Sequence, residues 1–339
     1  MACSIRMLRL FFLIIILCLG QYSVVTAVIT PLCALEHKSQ YRNPPWFTWF
    51  TEKKEVKGPR VAIGFYGLSR SVGLTFPSIE KHVFNVLDRQ NIAYDVFSHT
   101  LSANTIDNQQ SEEEGALDKF DVRLLRPCYV SMLYQEEIRE KEFNLYLRLR
   151  NLTHEEVMRA EEAEKHLPAD LWKDNFASVK NVLCAYHSLQ GLHKLIMSVS
   201  RHSNIKYDAI MVLRPDTAQL IDTDIFHNLQ EIMSSRTVFI PDFQHLGGYN
   251  DRMAYGSADA MSVYMNRGYE FLHGISPTTG EIMLQNHLKT HNVAVKFSNM
   301  RCIRVRLDGD VPLADTLRAN MNISNNYPFE ECVKDVSVC

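Results

Sequence analysis

Tyr207–Thr217, YDAIMVLRPDT, is the stretch on which the fold turns. Ile210, Met211, Val212 and Leu213 make a short apolar run with a proline close behind it, which reads as a buried strand rather than a helix. The run ends in Arg214-Pro215-Asp216, so a cation and a carboxylate sit at the strand's C-terminal tip. In open α/β sheets, ligands bind at the carboxyl ends of the strands. The rest of the chain is therefore expected to be a scaffold that brings a charged ligand to this tip.

Upstream, Asn175–Ser200 is amphipathic. Val179, Val182, Tyr186, Leu189, Leu192, Ile196 and Val199 recur at spacings of three and four, with Asp174 or Asn175 available as a cap. This helix feeds the key strand. Nearer the start, Val61–Tyr66 reads as a strand and Gly67–Ser71 as a polar turn. A helix is expected from Thr75-Phe76-Pro77, with Thr75 as cap, and Tyr94–Phe97 is a second strand. Strand, turn, helix and strand in this order open a nucleotide-binding α/β sheet. Arg70 in the first turn is placed to meet a phosphate, and His99 reads as a hydrogen-bonded residue at a strand end.

The segment 101–115 is expected to be a loop, Phe120–Leu125 a third strand, and 133–166 helical, with a capping box at Thr153–Glu156. Val238–Pro241 is another strand. Gly247-Gly248-Tyr249-Asn250-Asp251-Arg252 is a glycine-led polar loop whose backbone could approach a ligand closely. Helices follow at 259–267 and from Gly280-Glu281 through Thr290. The last strands are expected at Val293–Phe297 and Ile303–Val305, and the pattern weakens after Gly309.

The chain has 339 residues, 46% of them hydrophobic and 22% charged, which is ordinary for a globular protein with a large core. The net charge of −3 lacks the basic excess of a general nucleic-acid binder. Arg6 and Arg9 precede Leu10–Leu19, and the apolar character extends to Ile29. Residues 1–29 therefore read as a signal anchor, whose 20 residues Leu10–Ile29 span about 30 Å as a helix, or as a cleaved signal peptide ending at Val25-Thr26-Ala27. Arginines ahead of a span keep the N-terminus cytosolic, so either reading puts the body in the secretory lumen, in an ER or Golgi membrane or secreted. Residues 30–59, with four prolines and the aromatic group Trp46, Phe47, Trp49 and Phe50, form a stem. Asn151-Leu152-Thr153 and Asn322-Ile323-Ser324 are glycosylation acceptors. Cys33, Cys128, Cys184, Cys302, Cys332 and Cys339 permit disulfides, and none shows the CxxC spacing of a zinc site.

YDAIMVLRPD after an amphipathic helix, FIPDFQHLGGYNDRMAYGS, and then GEIMLQNHLKTHNVAVKF together resemble glycosyltransferases of the GT-A type. They look closest to a branch of glycosyltransferase-like proteins of the secretory pathway, and GFYGLSRS and DVFSHT fit it too. The resemblance spans roughly residues 60–310, with 311–339 as a tail. It implies an α/β, Rossmann-like, mostly parallel sheet flanked by helices, forming one lumenal domain. It also implies transfer of a sugar from a nucleotide-sugar donor to a glycan or glycoprotein acceptor.

Many such enzymes hold the donor diphosphate with Mn²⁺ or Mg²⁺ on an Asp-x-Asp motif, because hard cations take carboxylate and phosphate oxygens together. Here Asp216 matches the last position as the metal ligand, while Arg214 stands where the first Asp would be. Gly67, Arg70, Arg214, Asp216 and Arg252 are the expected donor contacts. An inverting transferase needs a carboxylate base near the acceptor hydroxyl, and Asp251 and Glu281 are the candidates. Two other classes stay open. A sulfotransferase could cradle phosphoadenosine phosphosulfate at Gly67–Ser71, although its Lys or His base has no evident place. A catalytically inactive member of the fold would explain the missing first Asp.

Overall fold

The computed structural model describes residues 58–108, 113–118, 120–273 and 279–320. The N-terminal segment 1–29, the stem apart from its last two residues, the acceptor Asn322 and Cys33, Cys332 and Cys339 lie outside the described residues. Among those described, no helix is long and apolar enough to cross a membrane.

The core is a mixed α/β arrangement, a mostly parallel sheet flanked by helices. Its seven-stranded sheet is built from β1 (Arg60–Leu68), β2 (Ala93–Ser102), β5 (Tyr129–Tyr134), β6 (Ala209–Leu213), β8 (Thr237–Pro241), β9 (Met253–Gly256) and β10 (Ala294–Ser298). Their order across the sheet is β10-β8-β9-β6-β1-β2-β5. Three strands read from the sequence are neighbours in it, with β1 parallel to both β2 and β6. All five residues of β6 are buried, as a strand covered on both faces requires. Only β9 runs against the rest, pairing antiparallel with β6 and β8. Its N-terminal end therefore lies at the edge where the other strands finish, because Leu213 pairs with Met253.

Alternate residues of β1 serve the two faces. Phe65 meets Phe84 edge to face, with ring centroids 6.3 Å apart, beneath the helical stretch that starts as α1 (Val72–Ile79) and ends as α2 (Asn85–Arg89). The next residue, Tyr66, points to the face covered by α5 (Ala177–Ser203) and α7 (Ala258–Met265), where its hydroxyl donates to the Asp251 carbonyl. α5 is the amphipathic helix read from the sequence; Asp174 Oδ2 accepts from the Ser178 amide at its start. At the opposite edge of the sheet, Arg60 and the Tyr207 hydroxyl both donate to Asp95.

Several expectations need correction. Asp121–Leu125 is a 3-10 turn, not a strand, because its apolar residues Val122 and Leu125 are spaced to face one side of a tight helix. The strand at that point is β5. The segment expected as a loop carries a small hairpin, β3 (Thr105–Asn108) with β4 (Glu113–Ala116). Thr75 does not cap a helix; α1 starts at Val72, and the Thr75 hydroxyl donates to the Pro215 carbonyl, tying α1 to the key tip. β11 (Cys302–Arg304) leaves the main sheet and pairs with β7 (Thr217–Gln219). The capping box at the start of α4 (His154–Glu162) forms as read, after α3 (Gln135–Leu149). Asn151 is exposed just ahead of it. Cys128 is disulfide-bonded, whereas Cys184 and Cys302 are buried free thiols, so the cysteines do not all pair.

Candidate active site

The loops after β1, β6 and β8 meet at the carboxyl edge of the sheet. At the tip of β6, Arg214 grips Asp216 with two hydrogen bonds, Nε to Oδ1 at 2.9 Å and Nη2 to Oδ2 at 2.6 Å. Arg70 reaches the same carboxylate from the first turn, Nη2 to Oδ2 at 2.5 Å, and donates to Glu113 at 2.8 Å. Arg306 joins at Glu113. Beside them, Asp315 of α10 (Leu313–Asn320) is fully buried and takes forked contacts from both Arg252 and Arg304. Such planar, bidentate pairs are the strong form of the charged hydrogen bond. The two clusters are stitched together where the Val305 amide donates to the Asp216 carbonyl.

This lattice carries five guanidiniums, Arg70, Arg214, Arg252, Arg304 and Arg306, against three carboxylates, Asp216, Glu113 and Asp315. Burial alone would raise the Asp216 carboxyl, but Arg214 and Arg70 outweigh it and hold the group well below the usual carboxylate range. A divalent cation does not fit there. Asp216 is 2% exposed and both of its oxygens already accept from guanidiniums, whose charge would repel a metal. Gly67, expected at a phosphate, has φ of +98° and its amide donates to Ser188 Oγ, so that amide is already used. Arg252 is likewise committed to Asp315. Of the expected donor contacts, Arg214 keeps the most solvent access, with its side chain 33% exposed; Arg304, which the sequence did not single out, keeps 30%.

The two candidate bases come together on the neighbouring side of this edge. Asp251 precedes β9, and Glu281 lies in the first turn of α9 (Gly280–Thr290). The Asp251 carbonyl accepts from the hydroxyls of Tyr66 (3.0 Å) and Tyr264 (3.1 Å) and from Arg267 Nη2 (3.2 Å). Arg267 is almost wholly buried, its guanidinium 4.3 Å from the Tyr264 ring centroid and 5.3 Å from that of Tyr186. With its backbone fixed in this way, Asp251 presents a side chain that is 29% exposed. Burial, and then the Asp251 charge, push the Glu281 carboxyl up to about 7. Arg214 lies within electrostatic reach of Asp251 and Tyr66, which joins the acid pair to the arginine lattice. The Tyr186 hydroxyl is buried with no hydrogen-bond partner among the described residues. A Cβ on Gly280 would sit 2.9 Å from Asp251 Oδ2 and 3.1 Å from that hydroxyl, so the glycine keeps the space between them open. Tyr66, Tyr186, Tyr264 and Arg267 carry no sequence signal of a site and read as ordinary core and helix positions.

The loop and α9 touch through backbone. Tyr249 N donates to the Glu281 carbonyl at 2.9 Å, and a Cβ on Gly248 would lie 2.0 Å from that oxygen. The obstacle is backbone and not a flexible side-chain end, so Gly248→Ala is expected to push the loop off α9 and cost about 1–3 kcal/mol, the usual range for overpacking. A urea melt checks it; an unchanged midpoint would mean the contact is soft.

A separate depression of about 340 Å³ is lined by His99, Ser131, His187, Gln190 and Lys194 and shares no residue with the acid pair or the arginine lattice. His99 there is a buried strand residue, as expected, and burial lowers its pKa to about 4.

No family profile matches the chain, and no curated protein sequence does. Among solved structures the chain is similar to mouse xyloside xylosyltransferase 1 in its apo form, with 11% identity and a TM-score of 0.32 over 70% of this chain and 84% of that one. A likeness of that size carries no chemistry from one protein to the other.

Proposed function

We propose that the chain is a glycosyltransferase that takes a nucleotide-sugar donor and a glycan or glycoprotein acceptor. The observation that carries this reading is the meeting of Asp251 and Glu281 beside a cation-rich lattice at the carboxyl edge of the sheet. In this reading Arg214 and Arg304, the more exposed arginines, face the donor diphosphate. They offset its charge as the sugar–phosphate bond breaks, the task a metal performs elsewhere. Glu281 takes the proton of the acceptor hydroxyl as that oxygen bonds to the sugar carbon, and the nucleoside diphosphate leaves. A carboxylate titrating near neutrality suits a base at physiological pH. Burial and then the Asp251 charge raise that carboxyl, and Asp251 and Tyr186 line the space for the acceptor.

The same reading places the domain in the secretory lumen, held by the N-terminal apolar segment. The Cys128 disulfide and the exposed Asn151 acceptor support an oxidising compartment.

Thermal-shift titration of the full chain with UDP- and GDP-sugars, with and without Mn²⁺, tests the assignment. A nucleoside diphosphate sugar is expected to raise the melting temperature equally in chelator and in Mn²⁺, and Arg214→Ala is expected to abolish the rise. Stabilisation by phosphoadenosine phosphosulfate alone would favour a sulfotransferase. No response to any nucleotide would favour an inactive member of the fold, and a strict Mn²⁺ requirement would overturn the arginine assignment.

A further inference from the structure

Away from the sheet edge, α8 (Gly268–His273) and α9 pack against each other and bring Glu270, His287 and His291 together. One ligand atom from each lies within 4.8 Å of the others. His287 and His291 are four residues apart, so they share one helix face, with ring centroids 4.3 Å apart. The third group comes from the adjacent helix.

The hydrogen bonding around these rings is what a ligand set needs. His287 is 5% exposed, and its Nε2–H donates to the Val263 carbonyl at 2.9 Å. That bond leaves the lone pair on Nδ1, which is buried and has no hydrogen-bond partner among the described residues. The nearest carboxylate oxygen, Glu270 Oε1, stands 3.7 Å from it, too far for a hydrogen bond. His291 Nδ1–H donates to the His287 carbonyl at 2.9 Å, which leaves Nε2 as its free atom. Metal-bound imidazoles characteristically donate their other ring N–H to a carbonyl in this way, which fixes both tautomer and orientation. A buried, unpartnered acceptor is otherwise costly.

We propose that Glu270, His287 and His291 form a zinc-binding site. Two imidazoles and one carboxylate match a divalent ion of intermediate softness, and ligands about 2.0–2.1 Å from a tetrahedral ion stand about 3.4 Å from one another. Small side-chain rotations of Glu270 and of exposed His291 close the present spacing to that value. Three protein ligands leave a fourth position for water on the exposed side. The ion would clamp α8, which follows Arg267, to α9, which carries Glu281, while sharing no ligand with the acid pair.

The test uses untagged full-length protein stripped by chelator and titrated with Zn²⁺ alone, then with Co²⁺ as a spectroscopic probe. One Zn²⁺ per chain and a higher melting temperature are expected, with visible Co²⁺ bands of a tetrahedral nitrogen–oxygen site. His291→Ala and Glu270→Gln lie on the exposed side and leave the fold standing. Each should weaken binding by about 10²-fold or more and remove the bands, since even loss of an outer partner costs about 10–100-fold. Lys289→Ala, exposed on the same helix, should bind as the parent does. No retained ion, or equal binding by the His291 variant, would overturn the site.

Discussion

Asp216→Ala is expected to unfold the domain at temperatures where the parent chain is stable. Removing one partner from a buried ion pair costs about 3–5 kcal/mol, because the partner charge is left uncompensated, and whole domains are stable by only about 5–15 kcal/mol. Here two guanidiniums lose their acceptor at once. Arg70 keeps Glu113, and Arg214 can turn toward solvent, so the loss sits at the lower end of that range. Asp216→Asn retains one acceptor oxygen and should lose less, and Arg214→Ala less again, since Arg70 still holds the carboxylate. Acid should reproduce the effect. A carboxyl held below its ordinary 3.8 adds stability that is complete above that value and drains away as the pH falls beneath it. Circular-dichroism melts of the three variants, at neutral pH and at pH 3, give the ranking. An Asp216→Ala protein that melts like the parent would remove the structural role and return Asp216 to the list of donor contacts.

Glu281→Gln is expected to reduce transfer by about 10²-fold or more, the usual loss for a general base. The parent rate should rise with pH to a plateau with a midpoint near 7, since the base works unprotonated. Asp251→Asn removes the neighbouring negative charge and should shift that midpoint toward acid. Stability supplies a second readout. Glu281 is raised from its ordinary 4.5 to about 7, so its contribution is complete below 4.5 and is lost as the pH climbs through 7. The Gln variant lacks that loss and should outlast the parent at pH 8 while matching it at pH 4.5. A rate profile unchanged by both substitutions would dismiss the pair as catalytic.

The sequence disclosed the sheet better than the site. A fully apolar five-residue run bounded by polar groups has few homes other than a central strand, and β6 lies there. Short mixed segments are a weaker guide, and Asp121–Leu125 shows why: alternation over five residues suits a strand or a tight turn equally well. The site was half legible. Asp251 and Glu281 stand out in the sequence as acids in a glycine-led loop and at a helix start, and the fold brings them together. A pairing of Arg214 with a carboxylate two residues away is within reach of the sequence, but that of Arg70 with Asp216 is not, because the two are 146 residues apart and periodicity says nothing about such partners. Asp315, in a tail with little pattern, holds Arg252 and Arg304 by the same long-range logic. His287 and His291 show helical spacing in the sequence, but their third partner, Glu270, comes from another helix and only the fold brings it near.

The placement of β1 also bears on how the chain is made. β1 is complete once residue 68 has been synthesised, and β2 follows soon after. Its other neighbour, β6, is encoded far downstream: the Arg60 amide waits for Asp208, 148 residues later. At about 5–20 residues per second, that interval lasts roughly 7–30 s. Throughout it, a nascent chain carries a strand of almost wholly apolar residues with one bare edge, the surface on which unfinished sheets aggregate. A ribosome stalled before residue 209 should therefore display a chaperone-binding strand that disappears once residue 213 has cleared the exit tunnel.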